Sequence, residues 1–394
     1  MKLKSVLLIL FVIMVMAGFS RGQQKTDLSL DEMLQKAMDE SLKNSAAVGV
    51  SAAIMMPDGR LWKGVSGISH KGVPITPDML FDIGSVEKNL QAALALKLVE
   101  EKVLSLDDPL DKWLPAYPNI NGKITIRQLL NMTSGIDKIV EDASSPWRVG
   151  YKNINFEKKW TWDDIYLKFI GKPNFDPGEK CAYSSTNYIL LRMIIEKAAG
   201  SKQTTELKKR LLRPNHLSHT LVDFLSPVPD HMKIAHAWLD PGDGKLIDIS
   251  GNSLNWLATM SPMLVYSTPG DMVKWIHALC HIKTVLSPEM LKEMLTFVGP
   301  VENEPMLKGY GLGIADINLS VFNPNWGVLE TIGHLGSQYG YTTFVAYFPE
   351  FKVSMAFMFN RGADRTYMQA IFPVFNAMTT VLFRHLGIKA NDGA

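Results

Sequence analysis

Apolar positions along this chain switch between helical and strand periods in a definite order. Between Leu28 and Leu42, residues Leu30, Met33, Leu34, Ala37 and Leu42 fall near the spacing of one helix face, which predicts an amphipathic helix. From Gly49 to Ser69, GVSAAIMMPDGRLWKGVSGIS sets two β-type runs around Pro57-Asp58-Gly59, a hairpin signal. A second such pair, Thr342 to Phe348 and Lys352 to Asn360, flanks Pro349-Glu350, and a helical pattern follows from about Tyr367 to Arg384. The stretch from about Ser85 to Met294 is mainly helical, with loops rich in Pro, Gly, Trp and Asn. Strands at both ends with helices between them predict an α/β (α+β) fold in which both hairpins join one antiparallel sheet. The terminal helices cover that sheet, and the middle forms a helical lobe. The expected boundaries are a sheet lobe from about 28–84 and 325–390 and a helical lobe from about 85–324. A cleft between two such lobes is the expected place for a site.

The first 22 residues stand apart from this pattern. Lys2, Lys4 and Arg21 are basic, none is acidic, and the 15 residues SVLLILFVIMVMAGF between them carry no charge. The run is short for a membrane span of about 20 residues, and small residues Ser20 and Gly22 precede Gln23, so 1–22 reads as a secretory signal, with an uncleaved N-terminal anchor as the alternative. Residues 23–394 then form the working chain, without a stable membrane span, in a bacterial periplasm or outside the cell. The whole sequence holds 41 basic and 39 acidic residues, +2; without Lys2, Lys4 and Arg21 the basic count is 38 and the charge −1. That balance supplies no basic face for a nucleic acid. Export bears on the two cysteines, Cys181 and Cys280. An oxidising compartment permits a bridge, but two buried free thiols are the preferred reading. His277 and His281 are four apart on a helical stretch, but there is no HExxH glutamate and no evident third ligand, so no metal is expected.

Candidate chemistry begins with an exclusion. No serine has glycine at both −2 and +2, which argues against the nucleophile elbow of the α/β-hydrolases. S-x-x-K occurs once, at Ser85-Val86-Glu87-Lys88. Phe81-Asp82-Ile83-Gly84 leads into it and a strong helical run follows, so Ser85 falls at a helix start with its N–H free for an oxyanion. Three residues of helical spacing bring Lys88 to the Ser85 oxygen, and desolvation would lower its pKa and let it share the serine proton. The intervening Glu87 is expected to point away from that face. Read alone, the same residues are also an N-cap and a solvated lysine. A tyrosine can relay the proton. Of Tyr117, Tyr151 and Tyr183, Tyr183 alone combines a rigid support, the helix from Tyr188, with an exposed loop. His334-Leu335-Gly336 opens the run into the last strands, where the Ser337 N–H can face that of Ser85; a lone strand histidine is otherwise structural.

In their order and spacing these segments resemble the serine hydrolases of the class C β-lactamase and penicillin-binding DD-peptidase superfamily. FDIGSVEK at Phe81 to Lys88, LSLDDPLDKWLP at Leu104 to Pro115 and ITIRQLLNMTSGI at Ile124 to Ile136 carry the likeness. PGEKCAYSSTNYILL at Pro177 to Leu191, YSTPGDMVKW at Tyr266 to Trp275 and GHLGSQYGY at Gly333 to Tyr341 continue it. The resemblance implies a β-lactamase/transpeptidase-like fold, Ser85 as acylated nucleophile, Lys88 as its activator and Tyr183 as general base and acid. It implies an oxyanion hole from the Ser85 and Ser337 N–H groups, substrate contacts from Ser185, His334 and Gly336, and no cofactor. The implied substrate is a small molecule or peptide with an amide or ester bond. Three departures weigh against a true β-lactamase or DD-carboxypeptidase: Ser185 stands where the family has asparagine, His334 replaces the lysine, and Leu335 brings no hydroxyl. A binding protein that kept the scaffold and lost turnover is the reading from another class. Specificity should lie in loops such as Asp137 to Phe175 and Ser226 to Thr259, which hold Trp147, Trp160, Trp162, Trp238 and Trp256.

Overall fold

A computed structural model describes residues 28–137, 170–222, 229–241, 243–250, 263–326, 329–338, 340–362 and 367–388. The signal-like residues 1–22, Tyr151 and most of the two tryptophan-bearing loops lie outside these. The N-terminal amphipathic pattern forms α1, Leu30–Lys43, opened by a capping box between Ser29 and Glu32. The first hairpin is β1, Gly49–Met55, and β2, Leu61–His70, followed by the two-residue β3, Val73–Pro74. The C-terminal part supplies β4, Leu307–Tyr310, β5, Ala315–Ile317, β6, Ile332–Gln338, β7, Tyr341–Phe348, and β8, Val353–Phe359. These eight strands make one sheet in the order β4-β5-β6-β7-β8-β1-β2-β3, every neighbour antiparallel. The two ends of the chain meet at β1 and β8, where Val50 pairs with Phe359 and Ala53 with Ala356. The expected single sheet of both hairpins is therefore the observed one.

Its lobe boundary needs correction. The sheet starts at Leu307, not near 325, because β4 and β5 are four- and three-residue strands. Gly309, Gly311 and Gly313 interrupt their alternation, so no period of two could be read there.

Every residue of β7 and β8 is buried, so both faces of the sheet are covered. Adjacent residues of β7 identify what covers each. The Phe344 ring lies 4.7 Å from that of Phe375 on α5, Tyr367–His385, which packs beside α1. Thr343, pointing the other way, donates from Oγ1 to the Asp82 carbonyl at 3.4 Å. The second face thus receives the turn that ends in Ser85, together with a helix from the middle of the chain, α4, Pro269–His277. On this face runs α2, Glu87–Glu100, buried on nearly all sides. A helix buried all round must satisfy its polar groups internally. Asn89 accepts from Trp275 Nε1 at 2.7 Å and donates to the Gly313 carbonyl at 3.1 Å, while Gln91 donates to the Tyr188 carbonyl and to Gln203 at 2.9 Å each. These bonds tie the start of α2, and with it Ser85, to α4, to the Gly313 backbone and to α3, Ser185–Ala199.

Cys181 and Cys280 are both free and buried, and burial pushes each thiol up to about 12. His277 and His281 face hydroxyls on the sheet, Ser354 and Tyr347, each at 3.1 Å. No group of metal-ligating side chains occurs among the described residues.

Candidate active site

Ser85 sits in a 3-10 turn, Gly84–Val86, that runs directly into α2. Gly84 has a φ of +51°, a left-handed conformation that glycine adopts without steric cost. Its neighbour across the site is β6, and the approach of the two is close. A Cβ on Gly84 would lie 3.0 Å from the Ser337 nitrogen, and one on Gly336 would lie 2.0 Å from the Ile83 carbonyl oxygen. Both glycines are therefore required for turn and strand to lie side by side. The strand is open there because β5 pairs only with Ile332 and Gly333, leaving His334 to Gln338 with β7 on one side alone. The Ser337 backbone is thereby brought beside the Ser85 turn.

Lys88 stands one helical turn on, 2% exposed, and its Nζ donates to Ser85 Oγ at 3.1 Å. That burial removes the reading of Lys88 as a solvated surface lysine. The Tyr183 hydroxyl is enclosed and interacts with both Ser85 and Lys88, and the ammonium lies 5.5 Å from the tyrosine ring centre. Tyr183 reaches this position from the short strand Cys181–Ala182, just before α3 begins. Burial disfavours the Lys88 ammonium, yet the Tyr183 oxygen and the Glu87 carboxylate more than offset it and hold its pKa above the ordinary lysine value. Burial likewise raises Tyr183, and the Lys88 charge only partly counters it. The resting pair is thus an ammonium and a neutral phenol. The expected lowering of Lys88 by desolvation is not realised, because its contacts with the Tyr183 hydroxyl and Glu87 outweigh it.

Glu87 is the second correction. Its carboxylate does not point away: it is 1% exposed, with Oε1 at 3.4 Å from Lys88 Nζ and Oε2 enclosed without a hydrogen-bond partner. Burial pushes its pKa up to about 7 against the pull of Lys88. Adjacent helix positions diverge at Cβ, but a glutamate is long enough to turn back to its neighbour in a buried space.

His334 lines the site, but both ring nitrogens are occupied. Nδ1 donates to the Leu335 carbonyl at 2.6 Å, so Nε2 is the acceptor and takes the Tyr310 hydroxyl at 2.7 Å. Burial and the Lys88 charge push its pKa down to about 3, which keeps the ring neutral. It therefore faces the cavity as a fixed wall with no spare N–H. Tyr310, which fixes it, was not legible in the sequence: it lies on a four-residue strand and carries no motif.

One cavity of about 170 Å³ is lined by Ser85, Tyr183, His334, Gly336 and Ser337 among others. Five of the expected residues are thus brought together, with Lys88 buried beneath them. Ser185 is not in that wall; it is the half-buried first residue of α3. The family's asparagine position therefore contributes nothing to this cavity.

The family model described as Beta-lactamase matches residues 31–372. The chain belongs to the beta-lactamase family. That membership carries the mixed sheet-and-helix fold of that family. It is 26% identical over 306 residues to penicillin-binding protein 4* of Bacillus subtilis (strain 168), covering 76% of this chain and 64% of that one. It is 23% identical over 335 residues to the D-alanyl-D-alanine-carboxypeptidase/endopeptidase AmpH of Escherichia coli (strain K12), covering 81% of each. Among solved structures, a D-stereospecific amidohydrolase from Streptomyces sp. superposes with a TM-score of 0.70 at 28% identity, covering 84% of this chain and 94% of that one. The chain spans between about half and two thirds of the length of the first curated relatives it matches. No helix among the described residues is long and apolar enough to cross a membrane.

Proposed function

We propose that this protein is an exported hydrolase that cleaves amide or ester bonds through an acyl-enzyme on Ser85. The observation that carries the reading is the buried Lys88 ammonium 3.1 Å from Ser85 Oγ, with the Tyr183 hydroxyl against both. Export rests on the pattern of residues 1–22, with 23–394 as one catalytic module.

Reaction starts from the minority form in which Tyr183 has lost its proton beside the Lys88 ammonium. Ser85 Oγ bonds to the substrate carbonyl carbon and its proton passes to the Tyr183 oxygen. The resulting oxyanion lies between the Ser85 and Ser337 N–H groups. Collapse breaks the bond to the amine or alcohol, which leaves with the proton from Tyr183. Water then adds to the acyl carbon, giving a proton to Tyr183; expulsion of Ser85 Oγ, reprotonated by Tyr183, releases the acid and restores the serine.

Because Lys88 and Tyr183 both sit above their ordinary values, the reactive form grows with pH, and kcat/KM should rise from neutral into alkaline solution. Glu87 raises both groups. Glu87→Gln should therefore move the rising limb to lower pH, and a limb that stays in place would show that this carboxylate is not coupled to the pair. His334, neutral with a pKa of about 3, should add no limb between pH 5 and 8.

A screen of esters, D-amino-acid amides and β-lactams against wild type and Ser85→Ala tests the reading and separates it from its alternatives. Turnover of the first two classes that vanishes in the variant is expected. Nitrocefin turnover or penicillin acylation would instead support a β-lactamase or DD-carboxypeptidase, the class that the names of two relatives represent. Ligand binding unchanged by Ser85→Ala, with no turnover, would indicate a binding protein.

A further inference from the structure

The cavity at Ser85 does not stop at the catalytic face of the sheet. Its lining also includes Leu335, Phe344, Phe322, Met368, Ile371 and Phe375. Side chains alternate along β6, so Leu335 and Ser337 point to the face opposite His334 and Gly336, toward α5. Phe344, paired with Leu335, shares that face and packs against Phe375. One continuous space is therefore lined from both faces, and it passes the edge of β6 that β5 leaves uncovered. Beyond that edge the wall is mainly aliphatic and aromatic, with Ser337 and Thr342 beside the edge, and it is closed by Phe322 against Phe375 at 5.0 Å.

The wall's charge points the same way. Among its described residues there is no lysine or arginine; Glu304 is acidic and His334 stays neutral. A substrate carboxylate entering this chamber would lose hydration and find no cation on its wall, since the Lys88 ammonium lies beneath Ser85 and is already paired with Glu87. An apolar group loses nothing polar and gains burial. Apolar cavities of about 150 Å³ accept a benzene-sized guest, and this space is about 170 Å³.

We infer that the site takes a neutral substrate whose apolar group, about the size of an aromatic ring or a six-carbon chain, passes the open edge of β6 and seats between Leu335, Phe344 and α5. The inference rests on the acyl-enzyme reading above. It names Leu335 as a specificity residue: where a hydroxyl would meet a carboxylate, the leucine extends an apolar wall.

Two series of p-nitrophenyl or alkyl esters test it, one lengthening the acyl chain from acetyl to hexanoyl, the other lengthening the alcohol of an acetate ester. Each buried methylene is worth about fourfold in kcat/KM, so at least one series should rise by about tenfold or more. An adipoyl ester, which ends in a carboxylate, should be about tenfold slower than the hexanoyl ester. Met368→Trp fills the chamber and should bring the long-to-short ratio below about threefold, while Ile371→Ala enlarges it and should shift the optimum to a longer chain. Serine-dependent turnover with flat profiles in both series, or an adipoyl ester as good as hexanoyl, would overturn the chamber alone. Equal turnover by Ser85→Ala would overturn the reading beneath it.

Discussion

Ser85→Ala should lower kcat/KM by about 10⁴-fold or more on whichever ester or amide the protein turns over. The account leaves no second nucleophile at this position. Lys88 rests as an ammonium, Tyr183 as a phenol, and His334 has both nitrogens engaged. The fold should be nearly indifferent to the change. Ser85 is half-buried in a 3-10 turn that alanine can adopt, and Lys88 keeps its contacts with Glu87 and Tyr183. Unfolding free energy should move by no more than about 1 kcal/mol, so lost turnover cannot be blamed on lost structure. Thermal melting recorded beside the kinetics checks this. A variant that melts like wild type and still hydrolyses within tenfold of it would remove Ser85 from the chemistry.

Gly336→Ala should cost nearly as much through geometry alone. The added methyl would lie 2.0 Å from the Ile83 carbonyl oxygen and 3.3 Å from Val86 Cγ2, and the nearer atom is backbone that cannot swing aside. Strand and turn must separate, which overpacks the contact at about 1–3 kcal/mol of stability. The same separation carries the Ser337 N–H away from Ser85, and a shift near 1 Å at a reacting centre costs about 10²-fold in rate. Both losses should appear together, in melting temperature and in kcat/KM. Full activity in this variant would mean that β6 does not set the position of the nucleophile turn.

The sequence disclosed the parts of this molecule whose signals are local. Pro57-Asp58-Gly59 and Pro349-Glu350 marked their hairpins because turn residues with alternating flanks are a short-range pattern. Ser85 and Lys88 were legible as a helix start with three-residue spacing, and Tyr183 through the helix that supports it. Features that arise from tertiary packing were not. β4 and β5 are too short and glycine-broken to show a period. Helical spacing turns Glu87 away from the Ser85–Lys88 face, yet α2 is buried on nearly all sides and has no outward face at its first turn. Tyr310 binds His334 only because two strands fold beside each other. Leu335 looked like a missing hydroxyl; its place in an apolar chamber depends on Phe322, Phe344 and α5, which meet it only in the folded sheet. Trp238 of the expected specificity loops donates to the Ser69 carbonyl at 2.7 Å, a structural bond at the sheet edge.

The central claim is that Ser85 becomes covalently acylated, and intact-mass spectrometry reads that directly. The protein is treated with a small fluorophosphonate at pH 8, weighed, digested, and the modified peptide sequenced. The account predicts one adduct per chain, on the peptide containing Ser85, absent from Ser85→Ala. An adduct on another residue, or equal labelling of wild type and variant, would contradict it.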